Sequence, residues 1–379
     1  MKTCKLLPEI CKIQYGYPFD SSLFSESGNF PLIRIRDVRR GYTETYTSEC
    51  CSQEYIVNYG DILIGMDGEF NIAKWSSTQA YLNQRVCKLI PHSCIDKGYL
   101  FFFMPKALKE IEARTPFATV KHLSAKELNR ITVPFPKLEE QQRISFVLQS
   151  VVNIIELQKT QLQKIDQLAK SRFIEMFGDP VENPKKWATC SLSTLGTFKN
   201  GMNFSSNERG IEIHCLGVGD FKNLSIINTP TKLPIISLAL TPSAEYLLQD
   251  GDIIFVRSNG NKALVGRCVA IYTHGLPVTF GGFCIRFRVG SDAVNIMYLL
   301  RVLKADTIRK KMAGRGANIQ NLNQKMLARL AIPIPPIALQ NEFAAFIEQL
   351  DKSKFSISRQ QKMIDSCQRG IILHLTGRL

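Results

Sequence analysis

Leu123-Ser-Ala-Lys-Glu-Leu-Asn-Arg-Ile-Thr-Val-Pro134-Phe-Pro136 and Leu322-Asn-Gln-Lys-Met-Leu-Ala-Arg-Leu-Ala-Ile-Pro333-Ile-Pro335 are one passage written twice, with the two Pro-x-Pro steps 199 residues apart. Upstream, Tyr59-Gly60-Asp61-Ile62-Leu63-Ile64 is echoed by Asp250-Gly251-Asp252-Ile253-Ile254-Phe255 at an offset of 191, so the stretch between the two motifs differs by eight residues. A period near half of a 379-residue chain implies two copies of one large unit and excludes a solenoid of short repeats.

Outward from these anchors both copies follow one plan. Short β-like runs, such as Asp252–Arg257 and Phe283–Val289, lead to the Pro-x-Pro step, which excludes helix at that point. A long helical pattern follows. In the first copy Ile144, Leu148, Val151, Ile155, Leu162, Ile165 and Ala169 fall at heptad-like positions; shifted by 199, they become Phe343, Ile347, Leu350, Lys354, Gln361, Ile364 and Gln368. The polar interruptions in the second seam predict a specified register and partner. Glu139 and Glu140 stand in the first helical turn, where carboxylates complement the helix dipole. Gly178-Asp179-Pro180 ends the first helix, and Asn183-Pro184-Lys185-Lys186 makes a turn into the second copy. The expected organisation is a globular part over 1–138, a long helix over 139–178, a second globular part over 179–337 and a second long helix over 338–379.

Composition narrows the class. Hydrophobic residues at 45% and charged residues at 21% are incompatible with a disordered chain. The longest apolar runs, such as Tyr99–Met104, fall far short of the roughly 18 residues that a membrane span needs. Met1-Lys2-Thr3-Cys4-Lys5 opens no signal-type apolar run, so a cytoplasmic protein is expected. Eleven cysteines at irregular spacing fit reduced thiols. No Cys-x-x-Cys pair occurs, and neither Cys50-Cys51 nor His92-Ser93-Cys94 makes a metal motif, so no metal is expected.

The charge is uneven. Lys and Arg exceed Asp and Glu by 48 to 33, a net +15. Residues 139–175 carry five basic and five acidic side chains and residues 338–374 five and four, whereas 1–138 and 176–337 carry +4 and +9. Positive globular parts joined by neutral helices suit two phosphate-facing modules.

For catalysis the sequence is close to silent. His92, His122, His214, His274 and His374 show no ligand spacing, and Gly217-Val218-Gly219 reaches Lys222 where a dinucleotide loop needs its third glycine. Asn183-Pro184-Lys185-Lys186 begins like an adenine-methyltransferase motif but lacks the aromatic that stacks on a flipped base. No catalytic residue is therefore assigned.

Candidate DNA-reading residues occur in both globular parts. Ile33-Arg34-Ile35-Arg36-Asp37-Val38-Arg39-Arg40 alternates apolar and basic, which predicts a strand with Arg34 and Arg36 on one face and Arg39 and Arg40 at its end. Gly65-Met66-Asp67-Gly68-Glu69-Phe70-Asn71 supplies Asn71 for an adenine edge, with Lys74 close behind. The second copy offers Arg257, Ser258, Asn259, Asn261 and Lys262 in the matching loop, then Arg267, and further on Lys310, Lys311, Arg315 and Asn318.

Taken together, the two-copy plan and the strings Ser171-Arg-Phe-Ile-Glu-Met-Phe-Gly-Asp-Pro-Val181, Gly251–Gly260 and Pro136-Lys-Leu-Glu-Glu-Gln-Gln142 resemble the DNA-specificity subunit of type I restriction-modification systems, over essentially the whole chain. Leu339 stands where the first copy has Glu140. The resemblance implies an α+β fold: two similar β-rich target recognition domains joined by two long helices packed as an antiparallel coiled coil, with pseudo-two-fold internal symmetry. It further implies that each domain reads half of a bipartite asymmetric target in double-stranded DNA, while the helices act as a ruler. Two methylation subunits would dock on the helices and restriction/translocase subunits would join them. S-adenosylmethionine, ATP and Mg would reside on those partners, with none in this chain. A helix of about 36 residues is roughly 54 Å long, about one and a half turns of DNA. The rival expectations are a methyltransferase or nuclease with a fused specificity region, and a coiled-coil scaffold that binds only protein.

Overall fold

A computed structural model describes residues 3–115, 121–205, 207–221, 224–313 and 321–375. Contacts divide the chain into two units, one made of 1–160 with 358–379 and the other of 161–357. The boundary crosses both long helices near their midpoints, so each unit contains half of each helix and the helices are not separate from the globular parts.

In the first unit β1 (Cys4–Leu6) begins a small ladder, and β2 (Cys11–Tyr15) begins the main sheet. α1 (Ile35–Arg40) is followed by β3 (Ile62–Gly65), β4 (Ile72–Lys74) and β5 (Val86–Pro91). Then come α2 (Lys97–Arg114), β6 (Thr132–Pro134) and the first half of the long α3 (Leu138–Phe177). The main sheet is antiparallel in the order β2-β5-β3-β4, and β1 pairs with β6.

The second unit repeats this. β7 (Thr189–Ser191) pairs with β12 (Ala331–Pro333), while β8 (Gly196–Asn200), β11 (Cys284–Val289), β9 (Asp252–Val256) and β10 (Cys268–Ile271) form the antiparallel sheet in that order. α4 (Ile296–Leu303), α5 (Asp306–Ala313) and the first half of the long α6 (Ile337–Leu375) complete it.

Side-chain alternation explains why the central strands read as unbroken apolar runs. Ile62 and Ile64 join the core that includes Tyr99, Leu108, Val133 and Leu148, while Leu63 turns to a second core with Val38, Trp75 and Leu82. In the second unit Ile253 and Phe255 pack with Phe173, Tyr298 and Phe343, and Ile254 and Val256 with Leu216, Val278 and Phe280. A strand covered on both faces has no polar side to show.

The repeated motifs have local causes. Gly60 and Gly251 take φ of 84° and 86°, a left-handed turn that glycine adopts without steric cost. The following Asp61 and Asp252 accept backbone N–H groups of Asn58 and Gln249 at 2.9 and 2.8 Å, fixing where β3 and β9 start. At the Pro-x-Pro steps the hydroxyls of the buried Tyr99 and Tyr298 donate to the carbonyls of Pro134 and Pro333 at 2.8 and 2.9 Å. The Asn183–Lys186 segment is a turn, and Lys185 Nζ caps the end of α3 through the carbonyls of Glu175 and Met176 at 2.6 and 2.9 Å.

Each long helix is seated by a buried glutamine. Gln141 Oε1 accepts the Asp96 N–H at 2.9 Å and its amide donates to the Pro136 carbonyl at 2.8 Å. Gln340, 199 positions on, accepts the Asn295 N–H at 2.8 Å and donates to the carbonyls of Ala293 and Pro335 at 3.0 and 2.8 Å. Along the seam Leu148 and Phe343 are fully buried, and Ile144, Val151, Ile155, Leu162, Ile165, Ile347, Leu350 and Ile364 are half-buried. Within the second unit the two helix halves run antiparallel: Arg172 pairs with Glu342 at 2.9 Å, and Lys354, a polar interruption of the seam, pairs with Asp166 at 2.6 Å. Within the first unit Ile371 packs on the core that contains Leu148.

Candidate nucleic-acid interface

One loop edge is built identically in both units. In the second unit the chain leaves β9 at Arg257, whose N–H donates to the Phe283 carbonyl at 2.7 Å and whose carbonyl accepts the Leu322 N–H at 2.9 Å. In the first unit Met66 N–H donates to the Arg85 carbonyl at 3.0 Å and Met66 carbonyl accepts the Leu123 N–H at 2.7 Å. The backbone frame is shared and the side chains on it are not: Arg257 and Phe283 occupy the places of Met66 and Arg85.

In the second unit Arg257, Asn261 and Lys262 are exposed, and Ser258 and Asn259 half-buried. Asn259 Oδ1 accepts the Asn261 N–H at 2.8 Å and Asn261 Oδ1 the Ala263 N–H at 3.0 Å, so both asparagine carbonyls shape the loop. Arg309 of α5 braces the loop from behind, donating to the Ala263 carbonyl at 3.0 Å. Phe283 is 66% exposed beside the arginine, and Phe204 is also exposed. Lys310 and Lys311 are exposed near the end of α5, while Arg267 is half-buried at the start of β10. Arg315 and Asn318 lie outside the described residues.

In the first unit the predicted arginine strand is a helix. Residues Phe30–Ile33 form a strand, but Ile35–Arg40 coils into α1. The cause is Asp37: its buried carboxylate accepts the Arg34 N–H at 2.9 Å and the Thr43 hydroxyl at 3.0 Å, fixing a helical first turn, and the helix ends at Gly41. Alternation cannot outweigh that cap when Ile35 and Val38 also bury as helix neighbours. Arg34, Arg36, Arg39 and Arg40 remain exposed, with Arg39 3.5 Å from Glu69, Arg40 3.9 Å from Glu44 and Arg36 bonded to Thr45 at 3.1 Å.

Two other residues are drawn into the fold. Asn71 is half-buried, its carbonyl accepting the Gly65 N–H at 2.8 Å. Lys74 lies 4.8 Å from the Phe101 ring centroid and 3.5 Å from Gln149 Oε1, and burial lowers its pKa, with Lys97 adding to the shift. Sequence reasoning missed Asp67, Arg85 and His122, which meet at this edge: His122 Nδ1 is 2.6 Å and Arg85 Nε 3.4 Å from the Asp67 carboxylate. A lone histidine 55 positions from its carboxylate carries no local signal. Among the described residues no group of three or more His, Cys, Asp or Glu is placed to hold a metal ion.

A duplicated α+β fold with this edge in both copies defines a two-module protein, and comparison with known proteins says of which kind. The family model for the type I restriction modification DNA specificity domain matches residues 3–167 and again 184–364, and the chain belongs to that family. The EcoBI specificity subunit of Escherichia coli is 38% identical over 166 residues, 43% of this chain and 35% of that relative. The MjaVIII specificity subunit of Methanocaldococcus jannaschii is 24% identical over 93% of this chain and 86% of its own length. The S subunit structure from M. genitalium superposes with a TM-score of 0.60 at 15% identity, covering 98% of this chain and 95% of that one, so the fold is shared. No helix among the described residues is long and apolar enough to cross a membrane.

Proposed function

We propose that this chain is the DNA-reading subunit of a type I restriction-modification complex, with each unit reading one half of a bipartite asymmetric target and α3 and α6 setting the distance between the halves. The observation that carries the reading is the shared frame with exchanged side chains: identical backbone bonds hold Met66 and Arg85 in one unit and Arg257 and Phe283 in the other. An arginine in such a frame pairs with guanine or clamps a phosphate, and changing that side chain changes the bases read without disturbing the scaffold. In this reading the chain has no catalytic centre. Two methylation subunits dock on the helices, restriction/translocase subunits join them, S-adenosylmethionine, ATP and Mg belong to those partners, and the complex works in the cytoplasm.

Replacing residues 186–335 with the corresponding segment of another family member tests the assignment. Methylome sequencing of a host carrying the hybrid should show one half of the methylated motif changed and the other kept. Change in both halves would refute it, and methylation by the purified chain free of partners would refute the non-catalytic role.

A further inference from the structure

Beside the 257–264 loop the second unit holds a basic recess of about 290 Å³. Lys170 of α3, Arg267 at the start of β10, Arg301 and Lys304 at the end of α4 and Arg309 of α5 line it, and no carboxylate does. Neutral oxygens hold two of these cations in place. Lys304 Nζ donates to the Leu224 carbonyl at 3.1 Å and to Ser225 Oγ at 2.8 Å, and Arg309 to the carbonyls of Ala263 and Val265 at 3.0 and 3.4 Å. The buried Arg309 Nε has no partner among the described residues. Burial lowers the pKa of both Lys304 and Arg301, and neighbouring cations lower that of Lys304 further. Carboxylates reach the same cations only from adjoining cavities: Asp166 and then Asp306 partly offset the effect of burial on Arg301, Asp166 and Asp351 lie at Lys354, and Asp179 accepts the Thr307 hydroxyl at 2.9 Å.

The repeat shows that the scaffold does not need this charge. At the offset of 199, Arg301, Lys304 and Arg309 correspond to Phe102, Pro105 and Glu110, and by strand register Arg267 corresponds to Asn71. The first unit builds the same sheet and helix without these four cations; of the five, Lys170 alone has a basic counterpart, Arg369, at the same offset. Converging positive charges held in a partly desolvated recess are unfavourable until an anion joins them, and the attraction is stronger there than in open water.

We propose that this recess takes a phosphate group, namely a backbone phosphodiester of the bound DNA flanking the half-site read by residues 257–264. The assignment rests on the DNA-reading role proposed above. Contiguity favours the DNA backbone over a free phosphate or an acidic segment of a partner: Arg309 braces the reading loop directly and Arg267 lies just past its end.

The test is DNA binding by the assembled complex with Lys170→Gln and Lys304→Gln, measured on target and unrelated duplexes over a range of salt. Each variant should weaken both duplexes several-fold and equally, flatten the slope of log K against log salt by about one, and leave the methylated motif unchanged. Lys170 is exposed on the long helix, so its variant carries the test if Lys304→Gln destabilises the unit. Unchanged affinity and slope in Lys170→Gln and in a folded Lys304→Gln would overturn the proposal. Normal DNA binding with failed assembly would assign the recess to an acidic partner segment and overturn it. Calorimetric binding of inorganic phosphate or ATP to the full chain, lost in the variants while the DNA slope stays put, would overturn the DNA source. Failure of the unaltered complex to bind any duplex would refute the DNA-reading role instead.

Discussion

Replacing Gln340 by Leu should cost the second unit about 3–5 kcal/mol. Leucine is one bond shorter but of similar bulk, so the cavity penalty is small and the change reports mainly on hydrogen bonding. Three bonds disappear, to the Asn295 N–H and to the carbonyls of Ala293 and Pro335. Ala293 is exposed and Asn295 half-buried, so water can replace those two bonds at about 1 kcal/mol each. Pro335 is buried, and its stranded carbonyl costs about 1–3 kcal/mol more. For a unit of this size each kcal/mol moves the midpoint by about 2–4 °C, giving a fall of about 6–20 °C. Gln141→Leu loses two bonds, and the carbonyl it strands belongs to the half-buried Pro136, so its effect should be smaller. Gln340→Glu should be worse than Leu, because a carboxylate cannot donate to the two carbonyls and would bury a charge. Differential scanning calorimetry of the three variants gives the answer. A shift below 2 °C for Gln340→Leu, or a larger one for Gln141→Leu, would show that these glutamines do not seat the helices.

Arg257→Ala or Lys262→Ala should weaken DNA binding by the assembled complex by about 1–3 kcal/mol if the side chain contacts a base, or flatten the salt slope by about one if it contacts a phosphate; unchanged binding in both removes the loop from the interface. Four residues inserted after Gln158 lengthen α3 by about 6 Å and overshoot one turn by only about 40°, so methylome sequencing should return the same half-sites with a spacer longer by one or two base pairs. An active complex that keeps the original spacer refutes the ruler. In thiol labelling of the native chain the exposed Cys4, Cys50 and Cys367 should react first. Burial pushes the Cys87 and Cys215 thiols up to about 12, so those should react only on unfolding, as mass spectrometry of the labelled peptides can establish.

What was legible in the sequence follows from how local its causes are. Proline at 134 and 333 excludes helix through its own ring, and a heptad sustained from Ile144 to Ala169 needs no distant partner to be recognised. The repeat added the rest, since two weak patterns at a fixed offset support one another. Residues Ile35–Arg40 misled because their i, i+2 alternation is also compatible with a short helix, and the choice was made by the Asp37 carboxylate closing on Arg34. Lys74 read as a surface cation, but its position on β4 directs it toward Phe101 and Gln149, elements 27 and 75 residues away. Gln141 was visible as a letter of a motif and Gln340 stands 199 positions on, yet their role depends on where the starts of α2 and α4 come to lie. Arg85 and Phe283 were missed because only strand register makes them equivalent.

The division of the chain has a consequence for the order in which it folds. The second unit is continuous, residues 161–357, whereas the first is assembled from 1–160 and 358–379. On a ribosome, 161–357 can complete its core soon after it emerges, but 1–160 must wait for a strand of helix made some two hundred residues later before Ile371 can settle on the core around Leu148. The half synthesised first is therefore the half finished last, with the place on its core that Ile371 covers left open in the meantime. Closing a loop of that length is entropically slow, which makes the nascent first unit the stage at which a chaperone or an early-arriving partner has most to protect.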